Sequence, residues 1–126
     1  MLRFPPREGS VVFCDYSGFV VPEMVKKRPV VVIHRHKHNS LLVYVVPISS
    51  TPPFPMHDYH LQVDQSFSKA HLNGKICWVK CDMINSVSLE RLHLIKGLKI
   101  KPSPVPYVES LFLARIKDAV RKACGL

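Results

Sequence analysis

Arg28 closes a run of three cations, Lys26-Lys27-Arg28, and stands directly before Pro29 and four β-branched apolar residues, Val30-Val31-Val32-Ile33. A residue that precedes proline is pushed out of the helical region into an extended conformation. Proline lacks an N–H and is tolerated as the entry to a strand. The pattern predicts a guanidinium fixed at the mouth of a buried strand. There it suits a phosphate or a carboxylate, because its planar fork donates two parallel hydrogen bonds and stays charged. An ion pair with Glu23 or Asp15 is the structural alternative. Further on, an apolar strand over Leu41 to Ile48 runs into Ser49-Ser50-Thr51 just ahead of Pro52-Pro53-Phe54-Pro55. Those hydroxyls stand at a strand's end, where they either meet a ligand or cap local backbone groups.

Two other groups of residues bear on metal chemistry. His34, His36 and His38 alternate with Arg35 and Lys37 between two strands. In an extended chain the three imidazoles would share one face at a period of two, which could hold a metal. Solvated turn histidines are the ordinary alternative, and Arg35 and Lys37 suit contact with a phosphate backbone. Among Cys14, Cys77, Cys81 and Cys124 the only close pair is spaced C-x3-C, without a second pair at matching distance, so reduced and mostly buried thiols are expected. No metal site and no cofactor are expected.

The elements that must position these residues read as mainly β. At 126 residues the chain is the length of a single domain. Eleven prolines against five glycines favour short strands joined by stiff loops. Strands are expected between roughly residues 9 and 100: Ser10 to Tyr16 first, then the two strands named above, then the alternating Tyr59-His60-Leu61-Gln62-Val63. Asn73-Gly74 is a strong hairpin signal ahead of Lys75 to Cys81. A brief strand and an amphipathic turn follow over Ser86 to Leu92, and Leu94 to Ile100 is less defined. Ser17 to Lys27 reads as a loop able to fold over something. Val108, Phe112, Ile116, Ala119, Val120 and Ala123 fall at helical spacing and predict a C-terminal helix over roughly 107–124. Glu109 is expected in its first turn and Arg121 and Lys122 in its last, matching the helix dipole.

The net charge of +9 favours a polyanionic partner. No apolar run approaches the roughly 18 residues that span a bilayer. Met1-Leu2-Arg3-Phe4-Pro5-Pro6 interrupts any leader pattern, so the cytoplasm is the expected compartment.

Three blocks stand in order: Gly9 to Asp15, then Lys26 to Ile33 with Val46-Pro47-Ile48-Ser49, then Cys77 to Ile84 with Arg91-Leu92. Together, over roughly residues 8 to 95, they resemble the MazF/PemK toxin family of type II toxin-antitoxin systems. The resemblance implies a small SH3-like β-barrel with a C-terminal helix, usually a homodimer. It also implies a metal-independent, sequence-specific endoribonuclease acting on single-stranded RNA and neutralised by a cognate antitoxin.

By the same resemblance the catalytic arginine is Arg28 and the catalytic hydroxyl is Ser49, where relatives commonly carry threonine; Ser50 or Thr51 could substitute. His60 resembles a histidine of some relatives and is a candidate to assist in proton transfer, because a guanidinium that stays protonated to above about pH 12 is a poor base. The RNA-contacting set expected around them is Phe19, Glu23, Lys26, Lys27, Arg35, Lys37, Ser50, Thr51, Lys80 and Asn85. Asn85 stands where many relatives carry arginine. Trp78 reads as core or as a base-stacking ring, and Phe19 as a loop contact to a splayed base. A non-catalytic growth-arrest toxin on the same fold, such as a gyrase poison, and a nucleic-acid-binding or metal-binding regulator are the competing functions.

Overall fold

The structure, a computed structural model, describes residues 2–95 and 105–126. Strand β1 spans Val11–Cys14, β2 Arg28–Arg35 and β3 Leu42–Ser49. Short strands β4 (His60–Gln62) and β5 (Trp78–Lys80) flank helix α1 (Gln65–His71). Strand β6 (Asn85–Ser88) leads through a 3₁₀ turn at Leu89–Arg91 into β7 (Leu92–His93), and helix α2 spans Ser110–Ala123.

All the strand pairs are antiparallel, in the order β4-β5-β3-β2-β1-β7, with β6 also pairing β3. One edge of β3 is shared: Leu42 to Val45 face β6, whereas Ile48 and Ser49 face β5. Pro47 stands between these two contacts, in the part of the edge that neither strand covers. This division curls the sheet, and a register shift in β2 between Val32 and His34 adds twist. The expected barrel is not closed: among the described residues β4 and β7 end the path without pairing each other.

The curled sheet buries both faces, which is why β2 and β3 read as continuous β-branched runs instead of alternating with polar residues. On one face Val11, Val31, Ile33, Val46, Ile48 and Val79 pack with Ile116, Ala119 and Val120 of α2. On the other, Val12, Cys14, Tyr16, Val30, Val32, Val43 and Val45 meet Val87, Leu89 and Leu92 from the chain that folds across them. The helical spacing of Ile116, Ala119 and Val120 thus buries the expected face.

Several sequence expectations are corrected. Asn73-Gly74 does not close a tight hairpin; α1 intervenes, and these residues terminate it in left-handed conformations, φ 59° and 72°. Asp64 caps that helix by accepting from the Ser66 N–H, a short-range signal that the Asn-Gly pair overshadowed. The strands β4 and β5 it joins are nonetheless neighbours. Helix α2 begins at Ser110, and Glu109 is its N-cap residue with no side-chain capping bond, one position ahead of the first turn. Arg121 and Lys122 do lie in the last turn. Of Leu94 to Ile100, positions 96–100 lie outside the described residues.

Candidate active site

Arg28 is the first residue of β2, and its partner on β1 is Cys14. On the other side Val30 lies opposite Pro47, and continuing that register two residues toward the strand ends sets Arg28 opposite Ser49, the last residue of β3. Ser49 pairs with Trp78, Trp78 with Gln62, and Cys14 with Leu92. One row therefore crosses the sheet: Gln62, Trp78, Ser49, Arg28, Cys14, Leu92. Directly opposed residues in an antiparallel pair have Cα atoms about 4.5–5.5 Å apart and point to the same face. Arg28 and Ser49 share the face of Val30, Val32, Val43 and Val45 by strand alternation, and so form its polar end.

The two side chains are differently engaged. Ser49 is 2% exposed, and its Oγ accepts the Thr51 N–H at 3.2 Å. That contact occupies an acceptor position and leaves the hydroxyl proton free to donate to an anion. Arg28 is half-buried, and its Nε is buried without a hydrogen-bond partner among the described residues. An unsatisfied buried donor costs about 1–3 kcal/mol, more when charged, so this atom is open to an acceptor that the described residues do not supply. The alternative ion pairs are absent. Glu23 Oε1 instead accepts the Val20 N–H at 3.0 Å, and Asp15 Oδ1 the Ser17 N–H at 2.9 Å. The Ser17 N–H is also the main reason the Asp15 carboxyl titrates below its usual range.

Lys26, Lys27, Ser50 and Thr51 are exposed beside this row, and Lys80 is half-buried on β5. Asn85 opens β6 opposite Val45, four residues along β3 from Ser49. Trp78 is half-buried within the row itself. Phe19 packs its ring against Tyr16, edge-on at 5.4 Å, and under the Arg91 guanidinium at 4.8 Å.

Arg35 and Lys37 are not brought to the row. Arg35 is seven residues along β2 from Arg28, about 23 Å at strand rise, and its Nε donates to the Pro6 carbonyl. His34 is there too, bonded to Glu8 at 2.9 Å, while His36 stacks on Tyr44 and accepts the His38 and Asn39 N–H groups. His34 ties down the N-terminal arm and His36 holds the turn, and no metal-binding cluster of three side chains exists among the described residues. The Glu8 carboxyl is held below its usual range by the His34 and Lys117 hydrogen bonds.

His60 opens β4 opposite Lys80. It is two strands and two residues from Ser49, roughly 12 Å on an unrolled sheet. Its Nδ1 accepts the His57 N–H at 3.0 Å, its Nε2 lies 3.8 Å from Asp82, and burial pushes its pKa down. The cysteines are free, three of them buried, as expected. Burial drives the Cys14 thiol beside Arg28 up to about 11.

Arg91, which entered the sequence reading only as part of a motif, holds the loop that follows β1. Its Nη1 donates to the carbonyls of Asp15 and Ser17, at 2.9 and 2.8 Å. No sequence signal marks a contact across 76 positions.

A family description, PemK-like, MazF-like toxin of type II toxin-antitoxin system, matches residues 7–118. An uncharacterized protein of Haemophilus influenzae is 35% identical, covering 94% of this chain and 89% of its own. Among solved structures, MazF from Deinococcus radiodurans superposes with a TM-score of 0.73 at 15% identity, over 98% of this chain and 99% of that one. An endoribonuclease in complex with its cognate antitoxin, from a mycobacterial species, gives 0.64 at 18% identity over 96% of each. At those identities the two structures speak to the fold, which is the one described above. The family match spans the strands that carry Arg28 and Ser49 as well as most of α2, and the chain belongs to the PemK-like, MazF-like toxins of type II toxin-antitoxin systems.

Proposed function

We propose that the chain is an endoribonuclease that cuts single-stranded RNA, with Arg28 and Ser49 holding the scissile phosphate. The observation that carries this is the buried Nε of Arg28, without a partner among the described residues and set opposite a buried serine whose hydroxyl can donate. In the reaction the ribose 2′-oxygen bonds to the adjacent phosphorus and the bond to the 5′-oxygen breaks. The products are a 2′,3′-cyclic phosphate and a 5′-hydroxyl, the proton lost by the 2′-hydroxyl being balanced by the one gained on the 5′-oxygen. Negative charge builds on the phosphoryl oxygens. Arg28 meets it with fixed donors and Ser49 with its O–H, each contact worth about 10²-fold or more in rate. A guanidinium in this position supplies the positive charge that the reaction needs, which supports a reaction independent of added metal.

Lys26, Lys27 and Lys80 extend the cationic surface along which the flanking phosphates lie. The same surface suits an acidic segment of a cognate antitoxin, and a second copy of the chain completes a homodimer. The cytoplasm, where RNA and antitoxin are found, is the proposed compartment; no helix among the described residues is long and apolar enough to cross a membrane.

The test is incubation of the purified chain with a long single-stranded RNA in excess chelator, with analysis of the product ends. Cyclic phosphate and 5′-hydroxyl ends, lost in Arg28→Ala, are expected. A folded sample that leaves the RNA intact, or an equally active Arg28→Ala, overturns the reading.

A further inference from the structure

Arg91 and Arg28 lie close to the same row and differ in what surrounds them. Arg28 lacks a partner at Nε among the described residues. Arg91, one residue before Leu92 of the row, has its Nη1 shared by two carbonyls, those of Asp15 and Ser17. Its own carbonyl accepts the Asp15 N–H at 2.8 Å, and its guanidinium carbon sits 4.8 Å from the centre of the Phe19 ring. Inside the loop, Asp15 caps Ser17, the Phe19 N–H reaches the Tyr16 carbonyl, and Gly18 turns the chain at φ 94°, a conformation that favours glycine. The stretch from Asp15 to Phe19 is thus gripped by Arg91, the last residue of the 3₁₀ turn ahead of β7, at its backbone and at the Phe19 ring. The same loop, closed further by the Val20 and Glu23 contacts, runs on through Lys26 and Lys27 into Arg28.

We infer that Arg91 is a positioning residue: it locks the loop between β1 and β2 in the shape that presents Lys26, Lys27 and Arg28 to RNA as one pre-formed cationic edge. The inference rests on the nuclease reading above. Arg91 is turned toward the loop, because both Nη1 protons go to backbone carbonyls and a face of its guanidinium lies on Phe19. Only a planar, multiply donating cation bonds two carbonyls and lies on a ring together, so lysine is a partial substitute. An edge ordered before binding spares the RNA the entropic cost of ordering it, which makes the lock a determinant of affinity more than of the chemical step.

The experiment compares the full chain with Arg91→Met, Arg91→Lys and Phe19→Leu. Limited trypsin digestion with mass analysis reads cuts after Lys26 and Lys27 against cuts after Arg115 and Lys117 in α2, which report global opening. In Arg91→Met the loop cuts are expected to accelerate about 10-fold relative to those in α2. The KM for a short single-stranded RNA is expected to rise about 10-fold while kcat stays within about 3-fold, with Arg91→Lys intermediate. Phe19→Leu keeps the two carbonyl bonds, and a smaller shift in the same direction is expected should Arg91→Met fold poorly. Loop cuts that rise only in step with the α2 cuts, or a freed loop with unchanged KM, overturn the inference. A wild-type chain that does not cut RNA, with the loop-selective cuts still present, overturns the nuclease reading and leaves the lock standing.

Discussion

Replacing Arg28 by methionine separates the cost of the site from its use. The guanidinium is half-buried and its Nε is a buried donor without a partner among the described residues, a cost of about 1–3 kcal/mol. Methionine keeps a long unbranched stem of similar reach against the same neighbours and removes the donor. The net expectation is a gain of about 1 kcal/mol after allowance for imperfect packing. Unfolding entropy of about 2.1 cal/mol/K per residue gives roughly 0.26 kcal/mol/K over 126 residues, so the gain corresponds to a rise in Tm of about 4 °C. The same change removes the fixed positive charge proposed to hold the phosphate, and kcat/KM on RNA is expected to fall about 10²- to 10³-fold. Thermal melting followed by circular dichroism and a fluorogenic RNA substrate measure the two effects on one preparation. A methionine variant that melts several degrees below the parent would show that Arg28 stabilises the fold and that its Nε is not an unsatisfied donor.

Ser49→Ala removes the hydroxyl proposed to hold the phosphate and the acceptor for the Thr51 N–H; kcat is expected to drop about 10²-fold with a stability loss of about 1 kcal/mol, read by single-turnover kinetics and melting. Ile116→Ala empties a fully buried position where α2 meets the sheet, with an expected loss of 2–5 kcal/mol, about the range of such truncations, in guanidinium unfolding. The Glu8 carboxyl has a folded-state pKa below its ordinary value because of His34 and Lys117, so its contribution is present above the ordinary carboxylate pKa and lost as pH falls through the depressed one. Glu8→Gln should flatten the fall of Tm below about pH 4.5, and an unchanged slope would remove Glu8 from the account.

How much of this was legible in the sequence depends on the range of each interaction. Arg28 at a strand mouth follows from a single dipeptide, because the Arg-Pro junction restricts the backbone locally, and the β2 and β3 runs carry their burial in their composition. The loss of the Asn73-Gly74 hairpin has the same local character: Asn-Gly supplies two left-handed residues, and these serve a helix end as well as a two-residue turn. Which turn forms was decided by Asp64 and by Leu72, which is buried in the core. The row joining Ser49 to Arg28 depends on register between strands, and the Arg91 grip depends on contacts across more than seventy positions. Neither leaves a periodic trace. His60 was visible as a histidine in an alternating strand, but the strand order that separates it from Ser49 was not.

That separation bears on the proton. Across the row, Gln62, Trp78, Ser49 and Leu92 do not change protonation between about pH 6 and 9, a guanidinium stays charged there, and burial has driven the Cys14 thiol up to about 11. A reaction that relies on these groups takes the 2′-hydroxyl proton to solvent hydroxide, so kcat/KM should rise close to tenfold per pH unit over that range. If His60 were the base the profile would differ in form. Its pKa is pushed below the ordinary value of 6.5 by burial, so its basic form would already dominate at neutrality, and the rate would be flat from about pH 7 upward. Measuring kcat/KM on one RNA from pH 6 to 9 for the parent and for His60→Gln distinguishes the two. A log-linear rise shared by both proteins agrees with a row that stabilises charge and leaves the proton to solvent hydroxide. A plateau in the parent that His60→Gln abolishes would place the histidine in the chemistry, and would mean that the sheet brings β4 closer to Ser49 in the RNA complex than the strand order allows in the free chain.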